Sequence, residues 1–255
     1  MIDNQKIKDN LAKSLTAQTE ELNMFLPYLL QDIWELGSPC ADIAQLLKDR
    51  LPGEAKILDL ACGKGAAAVK IAKELGLNVK GIDIMPQFID YAKKKAVENN
   101  VGDLCAFEVN DINTSVNTHK GYNCVILDWA GGVLGNPVQS VPKLKQTIVT
   151  GGLIIIGDAY LNPSSDLNDI KFKNDYISLS SWKTLFTLEG LKPVETKTDI
   201  KFADNFALIK TRAAEILVKH PQKKELLDSY IQNIQNKQAD LEQNITGVLF
   251  LLQKT

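Results

Sequence analysis

The 255-residue chain is poor in the residues that hold transition metals. It has four cysteines, none in a C-x-x-C pair, and two histidines, His119 and His220. Structural zinc sites draw closely spaced Cys and His ligands, so no metal is expected. Long hydrophobic runs are missing, whereas a membrane-crossing helix needs about 20 consecutive apolar residues. The opening MIDNQKIKDN is followed by no apolar signal core. The expected address is therefore cytoplasmic, with reduced cysteines and no membrane partner. Neither sign of charge is in excess: 29 Lys and Arg against 31 Asp and Glu give a formal net charge of -2. No general attraction to a polyanion follows, and nucleic acid is not expected as a partner. There is no internal repeat and no low-complexity linker.

What is present is globular material, 45% hydrophobic and 24% charged, in a chain long enough for a sizeable core. Residues 1–50 read as a helical cap. Leu22, Phe25, Leu26, Leu29, Leu30 and Ile33 recur at helical spacing over 20–36. Pro27 starts or kinks that helix, Gly37 stops it, and Ser38-Pro39 reads as the cap of the next one. From residue 55 the period changes. KILDL, NVKGIDI, residues 105–110, 122–129 and 153–160, and KPVETKTDI read as strands. Helices alternate with them, notably 66–75, 86–98 and 178–191. Short Ile/Val/Leu-rich strands alternating with helices predict a parallel sheet covered on both faces. Its ligand site is expected at the carboxyl ends of the strands. Residues 51–202 are thus an α/β core, 203–243 a two-helix insertion broken at His220-Pro221, and 244–255 a closing strand.

The strongest local signal is Ile57-Leu58-Asp59-Leu60-Ala61-Cys62-Gly63-Lys64-Gly65, a buried strand running into a turn with two glycines and then a helix. The glycines permit close backbone approach, and the helix start offers free amides. The spacing Gly63-x-Gly65-x-x-Ala68 leaves a dinucleotide open. Asp59, inside the strand, counts against a pyrophosphate there, and a P-loop is excluded because G-K-[ST] is absent. Asp83 ends the next strand, 20 residues after Gly63, where a carboxylate can accept ribose hydroxyls. Ile84 and Met85 can flank an adenine, and Asn110-Asp111-Ile112 can reach its edge. Asp128 ends the fourth strand and can face the reacting end of a cofactor. Order is the argument: these signals fall at successive strand ends.

On these motifs the chain resembles a class I S-adenosylmethionine-dependent methyltransferase of the small-molecule type, over about residues 50–210 and the final strand. The resemblance implies a Rossmann-like three-layer α/β sandwich. Its sheet would have seven strands, mostly parallel with an antiparallel last strand. The implied cofactor is S-adenosyl-L-methionine, with S-adenosylhomocysteine as product. Asp59 would orient the glycine turn and reach the methionine ammonium. Ala61, Gly63 and Gly65 would wrap the methionine, and Asp83 would hold the ribose. Ile84, Met85, Asn110, Asp111 and Ile112 would surround the adenine, with Asp128 and Trp129 near the methyl group. Ala61 and Ala67 stand where the family often has glycine. Lys64 is unusual too, and its side chain is expected to point outward. The D/N-P-P-Y run of base and glutamine methylation is absent.

The transferred methyl is already electrophilic, so an oriented nucleophile suffices, and a base is needed only for a protonated acceptor. Asp128, Asp158 and Tyr160 are the catalytic candidates. His119 is placed at the far end of its strand, and Cys62 is read as packing. Tyr28, Trp34 and Trp129 are candidates for a small-molecule acceptor. The loops 130–137 and 161–176 and the insertion are assigned to the same task. The insertion could equally join two subunits of a homodimer. Alternatives are an RNA or protein methyltransferase of the same fold, a NAD-binding oxidoreductase, or a cofactor-binding protein without turnover.

Overall fold

In a computed structural model of the chain, residues 15–17, 19–163, 165 and 176–255 are described. Most of the expected loop 161–176 and the first fourteen residues of the cap lie outside them. The strands are β1 (Lys56–Leu60), β2 (Asn78–Asp83), β3 (Cys105–Val109), β4 (Tyr122–Asp128), β5 (Ile148–Leu161), β6 (Ile177–Ser178), β7 (Leu191–Thr198) and β8 (Ile245–Lys254). The α-helices are α1 (Leu26–Leu29), α2 (Cys40–Leu47), α3 (Ala66–Leu75), α4 (Pro86–Glu98), α5 (Ile112–Thr118), α6 (Pro137–Lys145), α7 (Leu179–Leu188), α8 (Phe206–Lys219) and α9 (Lys224–Gln243). One sheet runs β3-β2-β1-β4-β5-β8-β7, with two-residue β6 added beside β5. β1–β5 pair in parallel, and β8 is antiparallel to both β5 and β7. This is the Rossmann-like sandwich that the alternating pattern implies.

Alternation along each central strand makes two cores. Ile57, Val79, Cys124, Ile126 and Ile155 face one side and meet α2, α3 and α4. Leu58, Leu60, Ile82, Val125 and Ile154 face the other and meet α5, α6 and α7. A third cluster joins residues of the cap (Leu22, Leu26, Leu29, Ile33) to Met85 and Phe88 and to the insertion (Ile209, Ile216, Leu227, Tyr230). Cap and insertion thereby form one apolar layer above the strand ends.

The cap departs from expectation. Segment 20–36 is not one helix but a 3-10 turn, Glu20–Met24, followed by the single turn α1 with Pro27 at its start. The carbonyls of Leu30 and Ile33 are taken by the Lys64 ammonium, so the chain leaves helical geometry there. Ser38 does not cap α2 either: Pro39 holds that position and Ser38 bonds Asp128 instead. β5 begins at Ile148, earlier than residue 153, with a register shift opposite Tyr122 and Cys124.

Candidate functional site

The glycine turn is built as its residue types require. Ala61, Gly63 and Gly65 all have positive φ, at 57°, 52° and 73°. Ala61 thus stands in a conformation that glycine adopts without strain. A Cβ on Gly65 would stand 2.7 Å from the Cβ of Ala92 and 2.9 Å from the Phe107 ring, so only glycine lets α3 start this close to α4 and β3. One on Gly63 would meet Leu36 of the cap at 3.2 Å.

Around this turn a cavity is lined by Asp59, Ala61, Gly63, Asp83, Ile84, Asn110, Asp111, Ile112, Asp128 and Trp129, and by Trp34 to Ser38 of the cap. Asp83 is 8% exposed and accepts the amides of Gly63 and Met85, each at 2.9 Å. Each carboxylate oxygen has a second lone pair, so further acceptor capacity remains. Burial raises its pKa, opposed by those amide bonds. Asp59 is 3% exposed, and its Oδ2 is buried without a hydrogen-bond partner. Burial first, then the charges of Asp128 and Asp83, push its pKa up to about 8. A buried carboxylate with an orphan oxygen at a cavity wall is suited to a cationic donor.

Asp128 is walled by glycines. A Cβ on Gly157 would fall 1.7 Å from its Oδ1, and one on Gly37 would fall 2.1 Å from its Oδ2. Oδ2 accepts the Ser38 amide at 2.8 Å and Oδ1 its hydroxyl at 2.7 Å. The Trp129 indole N–H donates to the same hydroxyl oxygen at 3.1 Å. Burial raises the pKa of Asp128 to about 6, against the lowering effect of the Ser38 bonds. The contacts observed at Asp128 are those of a latch that holds the cap.

The other candidates separate. Trp34 covers the turn, its indole N–H donating to the Lys64 carbonyl at 3.0 Å. Asp111 lines the cavity while capping α5 through the Asn113 amide, and Asn110 donates to Glu108. Met85 is not in the wall: its side chain is buried against the cap. Tyr28 faces the insertion, bonded to Glu215 at 2.6 Å. Asp158 accepts the neighbouring Ala159 amide, and Tyr160 packs on the sheet beneath. Tyr28, Asp158 and Tyr160 line neither this cavity nor the larger cleft beside it. His119 ends α5, at the amino end of β4. Lys64 reverses its expectation: it is 3% exposed and points inward to the cap. Among the described residues no group of three or more His, Cys, Asp or Glu could hold a metal ion, and no helix is long and apolar enough to cross a membrane.

The larger cleft, of about 680 Å³, adjoins the cavity. Leu15, Glu35, Leu36 and Trp129 belong to both walls. The rest comes from the cap, from 199–206, from the insertion and from Asn162 and Ile245 to Gly247 at the ends of β5 and β8; Phe202, Phe206, Ile209, Tyr230, Ile234 and Leu241 give apolar surface, and Asp199, Lys201, Asp204, Lys237 and Glu242 are charged. The insertion, assigned to the acceptor from the sequence, does line this cleft, whereas Glu35 and Leu36 are not singled out by any sequence pattern. Gly37-Ser38-Pro39 signalled a turn there, but no local pattern says which cavity a turn will border.

A family model described as a methyltransferase domain matches residues 52–233. The chain belongs to the class I S-adenosylmethionine-dependent methyltransferases. The methyl donor of that family is S-adenosyl-L-methionine, which leaves as S-adenosylhomocysteine. Among similar curated proteins, the uncharacterized protein YjhP of Escherichia coli is 30% identical over 145 residues, 56% of each chain. The 2-methyl-6-phytyl-1,4-hydroquinone methyltransferase of Synechocystis is 30% identical over 111 residues, 43% of this chain and 34% of the relative. The matches thus span about half or less of those relatives. Ribosomal protein L11 methyltransferases are also similar, at 26% and 29% identity, so the relatives act on unlike acceptors. A methyltransferase of Geobacter sulfurreducens, solved with S-adenosylhomocysteine, shares the fold. Its TM-score is 0.74 at 20% identity, covering 91% of this chain and 98% of that one.

Proposed function

We propose that this methyltransferase acts on a small, largely apolar molecule held in the cleft beside the cofactor cavity. The observation that carries this reading is the common wall of Leu15, Glu35, Leu36 and Trp129. A molecule in the cleft touches the same residues as the cofactor's reacting end; Phe202, Phe206, Ile209, Tyr230, Ile234 and Leu241 give the remainder apolar surface, and Asp199, Lys201, Asp204, Lys237 and Glu242 place charged groups around it. Such surroundings favour an apolar body with a few oriented polar groups. The hydroquinone methyltransferase among the relatives supports a small acceptor.

Each residue then has a part. Asp59 takes the ammonium of the methionine moiety on its orphan oxygen. Asp83 accepts the ribose hydroxyls while it holds the Gly63 and Met85 amides. Ile84, Asn110, Asp111 and Ile112 border the adenine. The bound cofactor supplies an electrophilic methyl, and the protein's task is to hold the acceptor in line with it and exclude water. Trp129 forms part of the wall against which the acceptor lies. Asp128 keeps the cap in place through Ser38. Of the four shared residues only Glu35 is ionisable, and its carboxylate accepts the Cys40 thiol at 2.8 Å and the Cys40 amide at 3.4 Å, so it serves first to hold the start of α2 against the wall.

The test uses methyl-tritiated S-adenosylmethionine with a cell extract divided into dialysable and macromolecular fractions. Label is expected in organic-extractable small molecules of the dialysable fraction. Label confined to protein or RNA sinks the small-acceptor reading and leaves the methyltransferase assignment standing.

A further inference from the structure

Lys64 sits between the two glycines of the cofactor turn, yet its side chain is almost wholly buried. Its ammonium donates to the carbonyls of Leu30 and of Ile33, the latter at 2.7 Å. It also lies 4.8 Å from the ring centre of Tyr91 and 5.7 Å from that of Phe88. These carbonyls belong to the point where the cap leaves α1; the Leu30 carbonyl also accepts the Ile33 amide at 3.0 Å, so the ammonium adds a second donor to this turn. The contact runs both ways, since the Trp34 indole donates back to the Lys64 carbonyl at 3.0 Å. Leu36 closes over Gly63.

The tethered segment has a second duty. Leu30, Ile33, Glu35 and Leu36 line the larger cleft, while Gly63 and Lys64 line the cofactor cavity. One side chain therefore joins the floor under the cofactor to a wall of the cleft. We propose that Lys64 is a positioning residue that couples the two sites, so that a cofactor settling on the glycine turn stiffens segment 30–38 and completes the acceptor cleft. Each ligand then strengthens the binding of the other. The inference rests on reading the larger cleft as the acceptor site. Rigidity imposed on one site and felt at another is a coupling free energy, and such couplings commonly amount to about 5–150-fold in affinity.

S-adenosylhomocysteine is the probe, which removes any need to know the acceptor. Amide hydrogen exchange over residues 28–40 is followed with and without it, in the wild type, Lys64→Met and Trp34→Phe. Methionine keeps the apolar stem and removes the donors. In the wild type the ligand is expected to slow exchange across Leu30–Ser38. In Lys64→Met it should bind about tenfold more weakly and no longer slow that segment. A purely structural lysine would raise exchange equally with and without ligand, so the ligand-induced difference is the readout. Trp34→Phe keeps Lys64 and loses one bond, so it should show a reduced difference; it decides the matter should Lys64→Met fail to fold. Wild-type protein that binds the ligand without slowing 30–38, or variants with an undiminished difference, overturn the coupling. Failure of the wild type to bind at all is a different result and strikes the cofactor site itself.

Discussion

Two regions meet at the strand ends, and they are made differently. The floor, from Asp59 to Asp128, is set by backbone: glycines at positive φ, amides held by Asp83, and carboxylates at the ends of parallel strands. The roof, residues 20–38 with the insertion 203–243, is set by side chains from distant parts of the chain. Tyr28 reaches Glu215, Asp32 reaches Arg212 at 2.6 Å, and Lys64 and Asp128 reach up to Leu30, Ile33 and Ser38. A floor of this kind suits a ligand that does not change, and a roof of this kind can be rebuilt for another acceptor.

If the floor holds the cofactor as described, the largest effect should come from Asp83→Ala. Calorimetry is expected to show S-adenosylhomocysteine binding weakened by about a hundredfold or more, since two charge-assisted bonds to the ribose are lost. The Gly63 and Met85 amides also lose their acceptor. A drop of a few degrees in Tm should follow, at roughly 2–4 °C per kcal/mol for a domain of this size. Unchanged affinity breaks the ribose assignment.

Second in size is a proton-linked effect at Asp59. The unligated group titrates at about 8, and a ligand ammonium favours its charged form. Binding near pH 7 should therefore release most of one proton, and affinity should rise between pH 6 and 8. Asp59→Asn should bind more weakly and flatten that slope. Calorimetry in buffers of different ionisation enthalpy reads both. The sign for stability is opposite. A carboxyl whose folded pKa is raised loses stability as pH climbs from its unfolded value near 4 through 8. Unligated Asp59→Asn should accordingly gain in Tm over the wild type from pH 5 to pH 8.

Gly157→Ala comes third and acts through the latch. The new methyl would collide with Asp128 Oδ1, and such overpacking costs about 1–3 kcal/mol. Thermal unfolding should register it, with the Asp128–Ser38 contact displaced. The smallest effect is expected from Ser38→Ala. It leaves the Ser38 amide on Asp128 but strips the hydroxyl from Asp128 and from the Trp129 indole. Indole fluorescence should shift while S-adenosylhomocysteine affinity moves less than about threefold, since the bonds lost belong to the cap latch and the Asp83 contacts stay in place. An affinity loss as large as that of Asp83→Ala would erase the distinction between floor and roof.

The same distinction explains what could be read from the sequence. Strand period, glycine spacing and acids at strand ends are local signals, and β1 through α4 lie where they point. The fate of Lys64 depends on two distant segments, the cap, which offers it the carbonyls of Leu30 and Ile33, and α4, which offers it the rings of Phe88 and Tyr91. The apolar spacing of 20–33 is real, since Leu22, Leu26, Leu29, Leu30 and Ile33 are all buried. It says nothing of the tertiary contact that ends the helix at Leu29. Tyr28 is aromatic and near the site in sequence, yet it serves the joint between cap and insertion. Glu35 and Leu36 are wall residues because the tertiary structure brings the cap beside Trp129, which no local pattern encodes.

Diffraction from crystals grown with S-adenosylhomocysteine tests the floor most directly. Density over Gly63 and Gly65, with the amino group at Asp59 Oδ2 and the ribose at Asp83, is the predicted result. A nucleoside seated elsewhere, or turned so that neither acid touches it, would contradict the account.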